Sequence, residues 1–179
     1  KVVGVEVSEV IAASNSVPEN FELVISSGTD IPVPDAAVDV AYSTQLMEHL
    51  HPDDAREQLE SISRVLRPGG LYICRTPHRL QGPGDISYLF DDVATGMHLK
   101  EYTYRELDVL FRQSGFSRVV AYIGKTSRHY RVPIMPVLAF ESLSHALFGR
   151  KPYPSRQEWL RRKPFTMFLQ GVNIVGQKT

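Results

Sequence analysis

A strand, a polar loop, a helix and a glycine turn follow one another without a break from Val38 to Gly70, and no other stretch limits the possible folds as much. Val38-Asp39-Val40-Ala41-Tyr42-Ser43 is a short, largely apolar run suited to a buried strand. Ser43 to His51 then gathers a hydroxyl, an amide, a carboxylate and two imidazoles in one loop. Pro52-Asp53-Asp54 opens a helix, with proline in the first turn and acids at its positive end, and Leu59, Ile62, Val65 and Leu66 keep helical apolar spacing. Arg67-Pro68-Gly69-Gly70 stops it, and Leu71-Tyr72-Ile73-Cys74 starts another strand. A strand-helix-strand crossover of this kind is parallel and right-handed. Ser43 to His51 therefore lies at a carboxyl edge, where open α/β sheets bind their ligands.

The flanking segments repeat this grammar. Lys1 to Val7 reads as a strand rich in valine, Ser8 to Ala13 as a short helix and Phe21 to Ser26 as a second strand. Gly28 to Asp35 is a loop, because two prolines and a glycine exclude regular structure. A long connection runs from Thr76 through Gly82-Pro83-Gly84 to Thr103, which caps a helix over Tyr104 to Ser114 with Glu106 completing a capping box. Gly115 ends that helix, Phe116 to Ile123 reads as a strand, and a final strand is expected within Phe165 to Gln177. Between them, residues 124–164 form an insertion large enough for a lid, with an apolar helix near Val137 to Phe148 and a basic stretch from Arg156 to Lys163.

A 179-residue chain with 42% hydrophobic and 22% charged residues suits a single folded domain, here 1–179, and excludes a disordered one. No apolar run approaches the ~20 residues of a spanning helix. The single cysteine, Cys74, reads as a small core residue of a cytoplasmic protein. Residues 1–60 hold two of the 20 basic and 12 of the 20 acidic groups, so a basic second part could meet an anion or be a solvated face. The first residue is Lys, and the native chain is expected to begin upstream.

Several pieces together resemble the class I S-adenosylmethionine-dependent methyltransferases, of the methyltransferase type 11 kind. They are Glu6 after a valine-rich strand, Asp30-Ile31-Pro32 with Pro34-Asp35 and Val38-Asp39, then Met47-Glu48-His49-Leu50 and Leu66-Arg67-Pro68-Gly69-Gly70. His98-Leu99 ahead of Tyr104-x-Glu106-Leu107 and Ser114-Gly115-Phe116 completes the order. The resemblance covers Val2 to about Ile123 and the last strand. It implies a Rossmann-like α/β fold with a mostly parallel seven-stranded sheet in the order 3-2-1-4-5-7-6. The glycine-rich loop of the family is not found here, so the first strand is expected to lie outside the sequence. Only were that strand truly absent from the protein would strands 2 and 4 have to pair directly or borrow one from a neighbour.

The resemblance implies S-adenosyl-L-methionine as cofactor, with Glu6 on its ribose, Ser27, Gly28 and Thr29 against its adenine, and Ser43 and Gln45 beneath its methionine part. Taken alone, Glu6 also reads as a solvated strand-end acid. Transfer to oxygen needs a base when the acceptor must lose a proton, and His49 suits that role at neutral pH; it also reads as a helix-start residue bonded to backbone. Glu48 beside it would orient an acceptor or hold a cation. Some related quinone-precursor O-methyltransferases carry a metal-linked Glu-x-x-Glu-His, but Gln45 stands in the first position here, and no metal is expected. His98, Tyr102 and His78 are further candidate acceptor contacts, and Arg79, Lys100 and Arg105 would suit an anionic acceptor; each of the six reads equally as a plain surface residue.

The leading expectation is thus a methyltransferase acting on a small or medium-sized acceptor, at oxygen, with residues 124–164 closing over it. The alternative is a non-catalytic binding module on the same frame, in which the insertion serves as a partner surface and its apolar helix packs on a second subunit, as in a homodimer, or touches lipid. Nucleic acid is not an expected partner, since no basic-aromatic cluster or recognition motif occurs.

Overall fold

In the computed structural model, which describes residues 1–14, 18–125, 128–148 and 171–179, the strands sort into two sheets. β1 (Val2–Glu6) and β2 (Phe21–Ile25) pair in parallel, joined through α1 (Glu9–Ser14). The larger sheet has the order β3-β4-β7-β5-β6. Its strands are β3 (Val38–Thr44), β4 (Leu66–Thr76), β5 (Phe116–Lys125), β6 (Arg128–Pro133) and β7 (Val172–Lys178). β3 and β4 are parallel, connected by α2 (Pro52–Val65), whereas β7 runs antiparallel to both β4 and β5.

This is the expected order 3-2-1-4-5-7-6, divided at the position of the first strand. Among the described residues β1 and β3 each carry ladder bonds on one side only, and they do not pair with each other. Val5 and Val40 stay about half exposed, at 47% and 50%. β6 is an addition from the front of the 124–164 segment, pairing with β5 as a hairpin. The apolar helix of that segment, α4 (Ile134–Phe148), starts three residues before the expected Val137, because Pro136 falls in its first turn and removes no helical bond there. The basic stretch Arg156 to Lys163 and the expected strand residues 165–170 lie outside the described residues.

β4 begins at Leu66, directly on the end of α2, and not at Leu71 as expected. Leu66 pairs with Val38 and Leu71 with Val40, and the extra residues form an irregularity in which Gly69 takes φ +78°. Glycine permits that left-handed turn at little cost.

α3 (Tyr104–Gln113) starts with the expected capping box between Thr103 and Glu106. Its Phe111 stacks on Tyr72 of β4 with centroids 5.2 Å apart, and Phe116 of β5 packs 5.0 Å from Phe111. All three rings are essentially fully buried. Gly176 of β7 makes room for them, since a Cβ there would come within 2.6–2.9 Å of Phe111 and Phe116. α2 covers the same sheet with Leu59, Ile62 and Val65. Its Gln58, Ser61 and Arg64, spaced three apart, instead hold the loop after β2: Gln58 Nε2 donates to Gly28 O at 2.8 Å, Ser61 Oγ accepts from Ile31 N at 2.9 Å, and Arg64 donates to Asp35 and Ile31.

Candidate active site

The chain leaves β3 by a sharp turn at Gln45, whose φ is +53° and whose N–H donates to Arg75 O of β4 at 2.9 Å. A 3₁₀ turn, Met47–His49, follows at the carboxyl edge of the sheet. Alternate burial results: Met47 and Glu48 are fully buried and His49 faces out. Glu48 Oε2 accepts from Thr76 Oγ1, at the end of β4, at 2.8 Å. Its Oε1 is buried and has no hydrogen-bond partner among the described residues.

The segment around His98 closes over this turn. Leu99 N and Lys100 N both donate to Glu48 O, at 2.7 and 3.2 Å, and His49 Nδ1 bonds Met97 O at 3.1 Å. The His49 and His98 rings stand edge to face with centroids 5.0 Å apart. His98 is buried, and its Nδ1 bonds Glu101 Oε1 at 2.9 Å. A carbonyl and a carboxylate can only accept, so both Nδ1 atoms carry hydrogen and each neutral ring keeps its lone pair on Nε2. One donor atom from each of Glu48, His49 and His98 lies within 4.8 Å of the other two.

Asp85 fixes the segment that carries His98. Its Oδ2 accepts from the N–H of Gly96, Met97 and His98 at 3.1, 2.6 and 2.9 Å, and Oδ1 accepts from Ser87 N at 3.0 Å. Burial works to raise the Asp85 pKa, but the His98 amide, the Ser87 hydroxyl and amide and the Met97 amide outweigh it and bring it down to about 2. Glu101 Oε1 also accepts from Gly84 N at 2.6 Å, tying the Gly82-Pro83-Gly84 loop to the His98 support. Asp85, Glu101, Met97 and Thr76 were not singled out from sequence. The Asp-x-Ser spacing of 85–87 and the His-x-x-Glu spacing of 98–101 were the available signals.

Toward the first sheet, Glu6 closes β1 with Oε1 accepting from Val7 N and Ser8 N at 2.8 and 2.9 Å. This orients the carboxylate at the strand end and leaves Oε2 as a further acceptor. After β2, Ser26 is buried and its Oγ accepts from Gly28 N at 3.0 Å, while Ser27 is exposed and Thr29 half-buried. Gly28 has φ +108°, and a Cβ on it would meet nothing within 4 Å, so the turn faces open space. Ser43 Oγ and Tyr72 OH share a 2.7 Å hydrogen bond, and Gln45 is exposed. Cys74, next to this pair, is buried with its thiol pushed up to about 12 chiefly by burial, as fits a core residue.

Two expected acceptor contacts are instead structural. His78 is fully buried; its Nδ1 accepts from Leu80 N at 3.1 Å, so its Nε2–H donates to Glu141 Oε1 at 2.7 Å. Glu141, on α4, also accepts from Tyr104 N and Arg105 N and so caps α3. Tyr102 is fully buried, and burial raises its phenol to about 12. The three cations offered for an anionic acceptor already have partners. Arg79 and Lys100 pair with Glu106, and Arg105 donates to Ser142 Oγ at 3.0 Å.

Comparison with known proteins adds an independent line. Residues 1–74 match the family model described as a methyltransferase domain. A probable S-adenosylmethionine-dependent methyltransferase of Mycolicibacterium smegmatis is 36% identical over 88 residues, 49% of this chain and 32% of the relative. The chain thus matches about a third of the length of such curated relatives. A chain of the complex described as that between the Haloferax volcanii Trm112 methyltransferase activator and the putative methyltransferase superposes with a TM-score of 0.62 at 16% identity, over 98% of this chain and 71% of that one. A protein of Thermotoga maritima described as a possible histamine N-methyltransferase gives 0.59 at 20% identity, over 99% and 73%. At these identities the two structures bear on the fold alone.

Proposed function

We infer that this chain, which has the class I S-adenosylmethionine-dependent methyltransferase fold and matches that family's domain over residues 1–74, takes part in methyl transfer to a small-molecule acceptor, at oxygen. The observation that carries this reading is the Glu48–His49–His98 cluster, held at the carboxyl edge of β3 where a parallel α/β sheet takes its ligands.

The cofactor, when bound, supplies a methyl group on a positively charged sulfur. On this chain's side, the second oxygen of Glu6 would accept from the ribose hydroxyls, and the backbone of Ser27-Gly28-Thr29, held by Gln58 and Ser26, would bind the adenine. Ser43 and Gln45 would hold the methionine part. With cofactor and acceptor in place, the His49 Nε2 lone pair would take the proton that the acceptor O–H must lose on methylation. Alignment of the three reacting atoms is the main contribution of such a site.

Met97 and Leu99, exposed at 69% and 57%, flank His98 and favour an acceptor with an apolar body. A cleft of about 500 Å³ lined by Arg79, Leu80, Val93, Leu99 and Glu101 adjoins them and suits a small or medium-sized molecule. An anionic acceptor would have to displace Glu106 from Arg79 and Lys100, so a neutral one is favoured. A second copy of the chain would dock on α4 through the exposed Met135, Leu143 and Leu147. Among the described residues no helix is long and apolar enough to cross a membrane.

Calorimetric titration with S-adenosylhomocysteine tests the reading. Micromolar binding is expected; a folded protein that does not bind it would return the chain to the non-catalytic binding module.

A further inference from the structure

We propose that Glu48, His49 and His98 bind a single divalent first-row transition-metal ion. Four observations converge on it. The first is the donor set itself, one carboxylate and two imidazoles within 4.8 Å of one another, contributed by the turn after β3 and the segment that folds back over it. The second is Glu48 Oε1, an atom of a fully buried side chain with no partner among the described residues. A buried carboxylate oxygen left bare is costly, and a cation is the partner that removes the cost most fully. The third is the tautomer of both imidazoles: Nδ1 is occupied by Met97 O on His49 and by Glu101 on His98, which leaves Nε2 of each to ligate. The fourth is the outer layer. Glu101 behind His98 is the carboxylate-histidine pair that orients and strengthens a metal-binding imidazole, and Thr76 Oγ1 fixes the other oxygen of Glu48.

Two imidazoles select against magnesium and calcium, which prefer all-oxygen surroundings, and toward zinc, iron, cobalt or manganese. Donors around such an ion stand about 3–3.5 Å apart. The triad therefore draws in on binding, and His49, its exposed member, is the one free to move. Gln45 leaves the carboxylate count at one; His98, 49 residues along the chain from His49, supplies the third ligand. Three protein ligands leave positions open for a small molecule. The ion's task rests on the methyl-transfer reading: it would hold the acceptor oxygen and lower the pKa of its hydroxyl, so that His49 serves as ligand and the proton leaves to solvent. Its presence does not depend on that reading.

The test is titration of chelator-treated protein with Co²⁺ and Zn²⁺, without cofactor or acceptor, followed by calorimetry and by the cobalt absorption bands. One equivalent is expected, with tetrahedral or five-coordinate cobalt bands. His49→Ala should weaken affinity at least tenfold, Glu48→Gln should abolish stoichiometric binding, and Glu101→Gln should weaken it about 10–100-fold. Should Glu48→Gln fail to fold, the exposed His49→Ala still decides. Absence of binding by folded protein, or unchanged binding in His49→Ala, overturns the proposal. S-adenosylhomocysteine affinity, measured separately, reports on the methyl-transfer reading alone.

Discussion

His98 Nδ1 donates to Glu101 Oε1 across 2.9 Å, and the same oxygen accepts from Gly84 N, so one buried carboxylate oxygen couples a candidate catalytic imidazole to a loop 14 residues earlier. Removing it leaves two donors bare. Glu101→Ala should cost about 2 kcal/mol or more, read as a lower denaturant midpoint at constant slope, and Glu101→Gln, which retains a carbonyl oxygen, should cost less. Equal losses in the two variants would mean that the oxygen is not the joint.

Asp85 sets an acid limit on the site. Its carboxyl has a pKa near 2 in the folded chain, below its ordinary value of 3.8, so its stabilising contribution is complete above that ordinary value and is lost as pH falls toward 2. Asp85→Asn should remove this part of the pH dependence. The check is the difference in stability between pH 5 and pH 3, which is expected to be smaller in the variant than in the parent.

On the cofactor side, Glu6→Ala is expected to weaken S-adenosylhomocysteine binding through lost ribose hydrogen bonds. Gly28→Ala strains a backbone at φ +108° and should weaken it as well, with a modest loss of thermal stability that comes from the backbone alone, since the added Cβ meets nothing within 4 Å. Calorimetry on the two variants measures this; unaltered affinity in Glu6→Ala would remove that residue from the site.

His49→Ala should lower turnover by roughly 10². The expectation holds whether the imidazole takes the acceptor's proton or ligates the ion that acidifies it, and cofactor affinity should stay nearly unchanged. Single-turnover kinetics beside calorimetry separates the two quantities, and an unchanged rate would exclude His49 from the chemistry.

Glu141→Ala should lower stability by about 3 kcal/mol or more, because it strips the buried His78 of its partner and uncaps α3. Burial opposes ionisation of Glu141, but the His78 ring and the Arg105 and Tyr104 amides outweigh it and hold its pKa below the usual value. Its stabilising contribution is therefore present above the ordinary carboxylate range and lost as pH falls below it. Equilibrium unfolding at pH 7 and in acid checks both statements.

What the sequence determined by itself is the local part. The crossover from Val38 to Leu71, the capping box at Thr103 and the strand ending in Glu6 were legible, since hydrophobic periodicity, proline, glycine and cap residues act over a few positions, whereas the order of strands was implied by the family resemblance. His49 and Glu48 were legible as chemistry because they crowd one strand exit. The tertiary structure alone decided which polar groups meet. His78, Tyr102 and His98 lie in one connection and read alike, yet His78 pairs with Glu141 of α4, Tyr102 is buried, and His98 turns to His49. The His78–Glu141 and His49–His98 contacts join residues 63 and 49 positions apart in the chain, the second formed as Asp85 and Glu101 hold the segment around His98 over the sheet edge. A one-dimensional pattern carries residue type and spacing, whereas burial and the direction of a lone pair arise only once distant segments pack.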